Sequence, residues 1–116
     1  MEGRELERRL ELGRLLDFYG PLITQHRREI VRMYCEEDMS LAEIAQAMTE
    51  SGKPVTRQGV YDALTKSGKQ LTDYEEKLGL MKRHDTVIAE AKNCLKALED
   101  GRGDEARAAL KRITEL

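Results

Sequence analysis

Two helix starts follow closely on one another in the middle of this chain, and no other feature restricts its fold as tightly. Ser40-Leu41-Ala42-Glu43 has the form of a capping box, in which the serine hydroxyl accepts from the Glu43 amide and the carboxylate reaches back to the Ser40 amide. Met39 and Ile44 have the spacing of a hydrophobic staple around it. Leu41, Ile44, Ala45 and Met48 then share one side of a short helix over about residues 41–49. Ser51-Gly52-Lys53-Pro54 ends it, with Val55 as an apolar plug behind the loop. Thr56 caps a second helix over about residues 57–67, held inward by Val60, Ala63 and Leu64. A capped helix, a turn and a second capped helix make a helix-turn-helix at about residues 40–67. Seven residues separate Met48 from Thr56, more than the three or four of a tight turn. Gly59, in the first turn of the second helix, costs up to ~1 kcal/mol against Ala. It reads as a point of close helix–helix packing, with a backbone-approach role as the alternative.

The flanks are helical too. Leu6, Leu10 and Leu16, with Leu15 and Tyr19, mark one face of a helix over about residues 5–19, stopped by Gly20-Pro21. Thr24 caps another that reaches to about residue 37, with Ile30, Val31, Tyr34 and Cys35 inward and His26, Arg27 and Arg28 on or beside its outer face. Beyond Gly68, the series Leu71, Tyr74, Leu78, Met81 steps by three and four, and Ile88, Ala91, Leu95, Leu98 repeats it. Gly79 and His84-Asp85 interrupt this series, which fits either a break near Gly79 or one bent helix. Residues 100–104 form a turn. A last helix spans 105–115, with Ala106, Leu110 and Ile113 as its apolar side. The expected fold class is all-α: a helical domain over residues 1–70 containing the helix-turn-helix, and a long amphipathic helical extension over 71–116. Composition agrees, with 36% charged residues, 4% aromatic and no Trp.

The net charge of −2 excludes a generic polycation, so any nucleic-acid contact must come from a local face. Between Lys53 and Leu71 four basic residues (Lys53, Arg57, Lys66, Lys69) stand against one acid, Asp62. With Val60 and Leu64 inward, Thr56, Arg57, Gln58, Tyr61, Asp62 and Thr65 line the outer side of the second helix. Arg suits guanine edges and Gln adenine edges; Lys53, Lys66 and Lys69 suit phosphates. These nine residues are the candidate nucleic-acid-binding site. An ordinary helical core with a solvated lysine face is the competing reading.

Catalysis is not expected. His26 and His84 stand alone, and no HExxH, Walker-type glycine loop or GxSxG occurs. Adjacent glutamates such as Glu36-Glu37 and Glu75-Glu76 point apart on a helix and read as solvated surface. No metal or other cofactor is implied. Cys35 and Cys94 belong to no CxxC pattern and read as reduced, buried thiols of a cytoplasmic protein. The charged start, MEGRELERRL, lacks a signal peptide's apolar core, and no apolar run approaches the ~20 residues that span a bilayer.

Three strings, LLDFYGPLIT (residues 15–24), YCEEDMSLAEIAQ (34–46) and TRQGVYDALTKSGKQLTDYEEKLGL (56–80), carry a resemblance to the YlxM family of small helix-turn-helix proteins. Genes of that family lie beside those of the signal recognition particle GTPases in many Gram-positive and related bacteria. The resemblance implies a winged-helix-like or sigma-region-four-like helix-turn-helix fold and a regulatory or accessory role in the signal recognition particle pathway. Arg57, Gln58, Tyr61 and Asp62 occupy the family's RQ-x-VYD positions. Gly59 stands where the family usually has Ala, and TESGKPV is longer than its usual turn. The implied partner is DNA or the particle's RNA; the alternative is a protein-interaction module docking on a signal recognition particle component, a GTPase or ribonucleoprotein. The apolar series, with Leu71, Tyr74, Leu78, Met81, Ile88 and Leu95, reads as packing on the chain's own domain, as a homodimer seam of coiled-coil spacing, or as a groove for a partner helix.

Overall fold

The helix starts written into the sequence form as local chemistry demands. In the computed structural model, which describes residues 3–116, the Thr24 hydroxyl accepts from the Arg27 amide at 3.3 Å. Ser40 and Glu43 close both halves of their capping box, at 3.1 and 3.0 Å. Hydrogen bonding from Ser40, its amide first, holds the Glu43 carboxyl below the usual carboxylate range. The resulting elements are α1 (Gly3–Tyr19), a 3₁₀ turn (Gly20–Leu22), α2 (Gln25–Cys35), α3 (Leu41–Glu50), α4 (Arg57–Leu78), α5 (Leu80–Glu99) and α6 (Gly103–Thr114). The described residues contain no strand and hence no β wing. They divide into two units, one ending at Leu78 and the other spanning Gly79–Leu116.

In the first unit, α1 packs on α2 and α4, α2 also on α4, and α3 on α2 and α4. Tyr19, Ile30, Val31, Ile44, Met48, Val60 and Leu71 are fully buried. The inner face of α1 runs through Arg9, Leu12, Leu15, Leu16 and Tyr19. Leu6 and Leu10, expected on that face, are exposed: Leu10 lies about 100° round the helix from Arg9, and Leu6 precedes the buried run. Arg9 is therefore a core residue. Its guanidinium donates to the Tyr34 carbonyl at 2.5 Å and, at 3.4 Å, to that of Met39, and lies 3.9 Å from the centre of the Tyr34 ring. It closes the C-terminal end of α2, beside Asp38 with φ of 55°.

The helix expected to stop at about residue 67 runs on to Leu78. Gly68 does not break α4 but brings it against α1: a Cβ there would meet Leu12 Cδ2 at 3.3 Å. Val60, Leu64, Ser67 and Leu71 form one buried stripe along it. Near its end, the Tyr19 hydroxyl donates to Glu75 Oε1 at 2.5 Å, and the Tyr74 hydroxyl donates to the Leu22 carbonyl at 3.3 Å. Glu75 is thus half-buried and engaged, not the solvated residue its pairing with Glu76 suggested.

The break falls at Gly79, whose φ of 63° is the left-handed conformation that glycine adopts without strain. The second unit is a helical hairpin of α5 and α6. Its buried residues are small: Cys94, Ala97, Ala106 and Ala109. Such side chains let helix backbones approach closely. Leu110, expected inside, is exposed, because Ala109 takes the inward position beside it. The Arg112–Glu90 ion pair joins α6 to α5, and Arg102 pairs with Glu105 within the first turn of α6.

Candidate nucleic-acid interface

The loop between α3 and α4 sets how α4 begins. Lys53 donates its amide to the Met48 carbonyl at 2.9 Å, and its ammonium binds both Glu29 oxygens on α2, at 2.9 and 3.0 Å. That contact holds the Glu29 carboxyl below its ordinary range. Val55 then folds back over the first turn of α4, where a Cβ on Gly59 would lie 2.8 Å from Val55 Cγ2. Gly59 therefore accommodates its own loop rather than a second helix, correcting the expectation of helix–helix packing. The Thr56 hydroxyl accepts from the Gly59 amide at 2.9 Å and caps α4.

Val60 and Leu64 hold α4 to the body, at 0% and 5% exposure. Thr56, Arg57, Gln58, Tyr61, Asp62, Thr65, Lys66 and Lys69 line its outer side, open to solvent in whole or in part. Gln58 Nε2 donates to Asp62 Oδ1 at 3.1 Å, one turn along the helix. Lys69 pairs with Asp73 at 3.4 Å, a surface pair worth a few tenths of a kcal/mol at most. The Arg57 side chain makes no hydrogen bond or ion pair with any described residue.

Three contiguous depressions run along this side of α4. The first, about 520 Å³, lies on Leu41, Arg57, Gln58 and Tyr61. The second, about 290 Å³, adds Thr65 and the N-terminal ends of α1 and α3, with Arg8 and Ser40. The third, about 280 Å³, runs past Thr65 and Lys69 to Asp73, opposite Arg8 and Glu11. The structure thus places Arg57, Gln58, Tyr61, Thr65 and Lys69 on neighbouring depressions along one side of α4, while the Lys53 ammonium pairs with Glu29 on α2. Arg8, absent from the expected set, lines two of the depressions. The RELERRL run contains it, but only the packing of α1 on α4 brings it to this face.

The expected seam residues separate. Leu71 is 0% exposed and Tyr74 is half-buried, its ring 6.0 Å from that of Tyr19. Both belong to the first unit's own packing, because the stripe of α4 continues through them. Leu78 is exposed at the end of α4. On α5, Met81 is half-buried and Ile88 and Leu95 are exposed, joined by Leu98.

Among the described residues no three or more His, Cys, Asp or Glu side chains gather as metal ligands. Burial pushes the half-buried Cys35 thiol up to about 11, so at neutral pH it is protonated and a poor nucleophile. No helix of the described residues is long and apolar enough to cross a membrane.

Residues 6–108 match the UPF0122 family model, described as "Putative helix-turn-helix protein, YlxM / p13 like". The UPF0122 protein of Thermoanaerobacter sp. strain X514 is 40% identical over 101 residues, covering 87% of this chain and 82% of that protein. That of Desulforamulus reducens is 36% identical over 112 residues, covering 90% and 92%, and that of Symbiobacterium thermophilum 38% over 96 residues, covering 83% and 85%. No solved structure matches.

Proposed function

The chain belongs to the YlxM/p13-like family of helix-turn-helix proteins, and from that premise we propose that it is a nucleic-acid-binding regulatory protein of the cytoplasm, accessory to the signal recognition particle pathway, which acts by binding rather than by catalysis. One observation carries the reading: Val60 and Leu64 anchor α4 while Arg57 and Gln58 stand exposed in its first turn. An exposed helix start offers free amides and a positive dipole end to phosphate, and long polar side chains there reach base edges. The pathway assignment rests on the family resemblance.

The test is fluorescence anisotropy of the full chain with labelled DNA and with the particle's RNA over a salt series. Affinity is expected to fall with salt, with a slope near −0.9 per phosphate contacted on B-DNA. Arg57→Ala with Gln58→Ala is expected to weaken specific binding by about 1–3 kcal/mol for each base edge no longer read. Absent or salt-independent binding to both nucleic acids overturns the proposal.

The α5–α6 hairpin supports a finer reading. Ile88, Leu95, Leu98 and Leu110 are exposed around a core of small residues, so the larger apolar side chains are the ones facing outward. We read this face as a homodimer seam, which presents two recognition helices and raises affinity by linkage. Light scattering is expected to give twice the chain mass, and Leu95→Asp to return it to one chain with the helical signal intact. A monomeric parent protein removes the homodimer and favours docking of the same face on a signal recognition particle GTPase or ribonucleoprotein.

A further inference from the structure

We propose that the cleft between α4 and the N-terminal ends of α1 and α3 receives one unpaired nucleotide of a bound strand, its base stacked on Tyr61 and its phosphate held between Arg8 and Arg57. This rests on α4 being a nucleic-acid interface and adds what that interface selects. The shape argues first. Duplex readout places a convex helix in a groove, but Arg57, Tyr61 and Thr65 line a recess of about 290 Å³. That is the low end of small-ligand sites, roughly 300–1,000 Å³, and admits a single nucleotide rather than a double helix.

The chemistry agrees with the shape. Tyr61 is 51% exposed, with the half-buried Leu41 beside it in the same recess; an accessible aromatic face is what an unstacked base packs on. Arg8 and Arg57 approach from two different helices, both exposed, and neither guanidinium forms a hydrogen bond or ion pair with any described residue. The recess also holds the Glu5 carboxylate, which is already paired with Arg9 at 3.1 Å. Arg9 in turn is occupied by the Tyr34 and Met39 carbonyls. Two uncommitted guanidiniums therefore remain for an anion. A carboxylate ligand would satisfy them but leave the tyrosine ring without a stacking partner.

The experiment compares a blunt 20-base-pair duplex with the same duplex carrying one bulged 2-aminopurine, in DNA and in RNA, against the full chain. The bulged probe is expected to bind about tenfold more tightly, with its fluorescence quenched on binding. Tyr61→Phe is expected to retain the preference and Tyr61→Ala to bring it near unity, with thermal melts confirming that both variants fold. Arg8→Gln is expected to weaken the bulged complex about fivefold more than the blunt one. A preference in DNA alone, RNA alone or both supports the pocket and identifies the strand. Equal affinity for blunt and bulged probes, or tighter binding without quenching, overturns the pocket and leaves the α4 reading standing. No binding to any probe removes both.

Discussion

Leu71→Ala is expected to lower the unfolding free energy of the first unit by about 3 kcal/mol, within the 2–5 kcal/mol usual for truncating a buried leucine. The melting temperature should fall by about 15 °C in a unit of this size. Leu71 is 0% exposed and continues the stripe of Val60, Leu64 and Ser67 that joins α4 to the body. The cost combines hydration of the removed methyl groups with the cavity left behind. Leu78→Ala is the control: Leu78 is 55% exposed, and its truncation is expected to change stability by no more than about 0.5 kcal/mol. Urea unfolding followed by circular dichroism checks both. Equal stability of the two variants would falsify the assignment of this half of α4 to the core. The comparison also separates core from seam, because both residues sit in one apolar series whose spacing suits either role.

Arg9→Ala should cost a similar amount, about 3 kcal/mol, for a different reason. The ion-pair partners of Arg9 are Glu5 and Asp38, with side chains 46% and 67% exposed, and pairs with such carboxylates contribute little. The larger contributions come from the guanidinium's hydrogen bonds to the Tyr34 and Met39 carbonyls and its seat on the Tyr34 ring. Removing a charged donor from a partly buried acceptor costs about 1–3 kcal/mol, and a desolvated cation–π contact adds about 1–2. Arg9→Lys is expected to recover less than half, since an ammonium lacks the planar guanidinium that seats on the Tyr34 ring while its second nitrogen reaches Glu5. The destabilisation should persist in 1 M salt, which screens the exposed ion pairs but not the buried bonds. A deficit that disappears at high salt would assign the effect to the carboxylates instead.

Both residues lie where local sequence signals run out, Leu71 because its spacing suits seam and core alike and Arg9 because its partners are distant. The helix-turn-helix was legible because its signals are local: Ser40 with Glu43, Thr56 with the amide three residues on, and the apolar pair Val60 and Leu64. The exposed side of α4 followed from them. Arg9 was not legible, because its partner carbonyls lie 25 and 30 residues away and nothing in RELERRL distinguishes a core arginine from a surface one. Arg8 was missed for the same reason. The pairing of Lys53 with Glu29, 24 residues away on α2, was likewise not legible from its own stretch of sequence. Gly68 read as a stop because a glycine that ends a helix and one that admits a neighbouring helix look alike in sequence. Only Leu12, at 3.3 Å from its added Cβ, tells them apart.

The tuck of Val55 against Gly59 fits the end of the loop to the first turn of α4 through the absence of a side chain at 59. A Cβ at position 59 would meet Val55 Cγ2 at 2.8 Å, so the valine occupies the space that an alanine methyl there would need. A methyl introduced at 59 therefore forces the Val55 side chain to shift, and the end of the loop before Thr56 must repack around it.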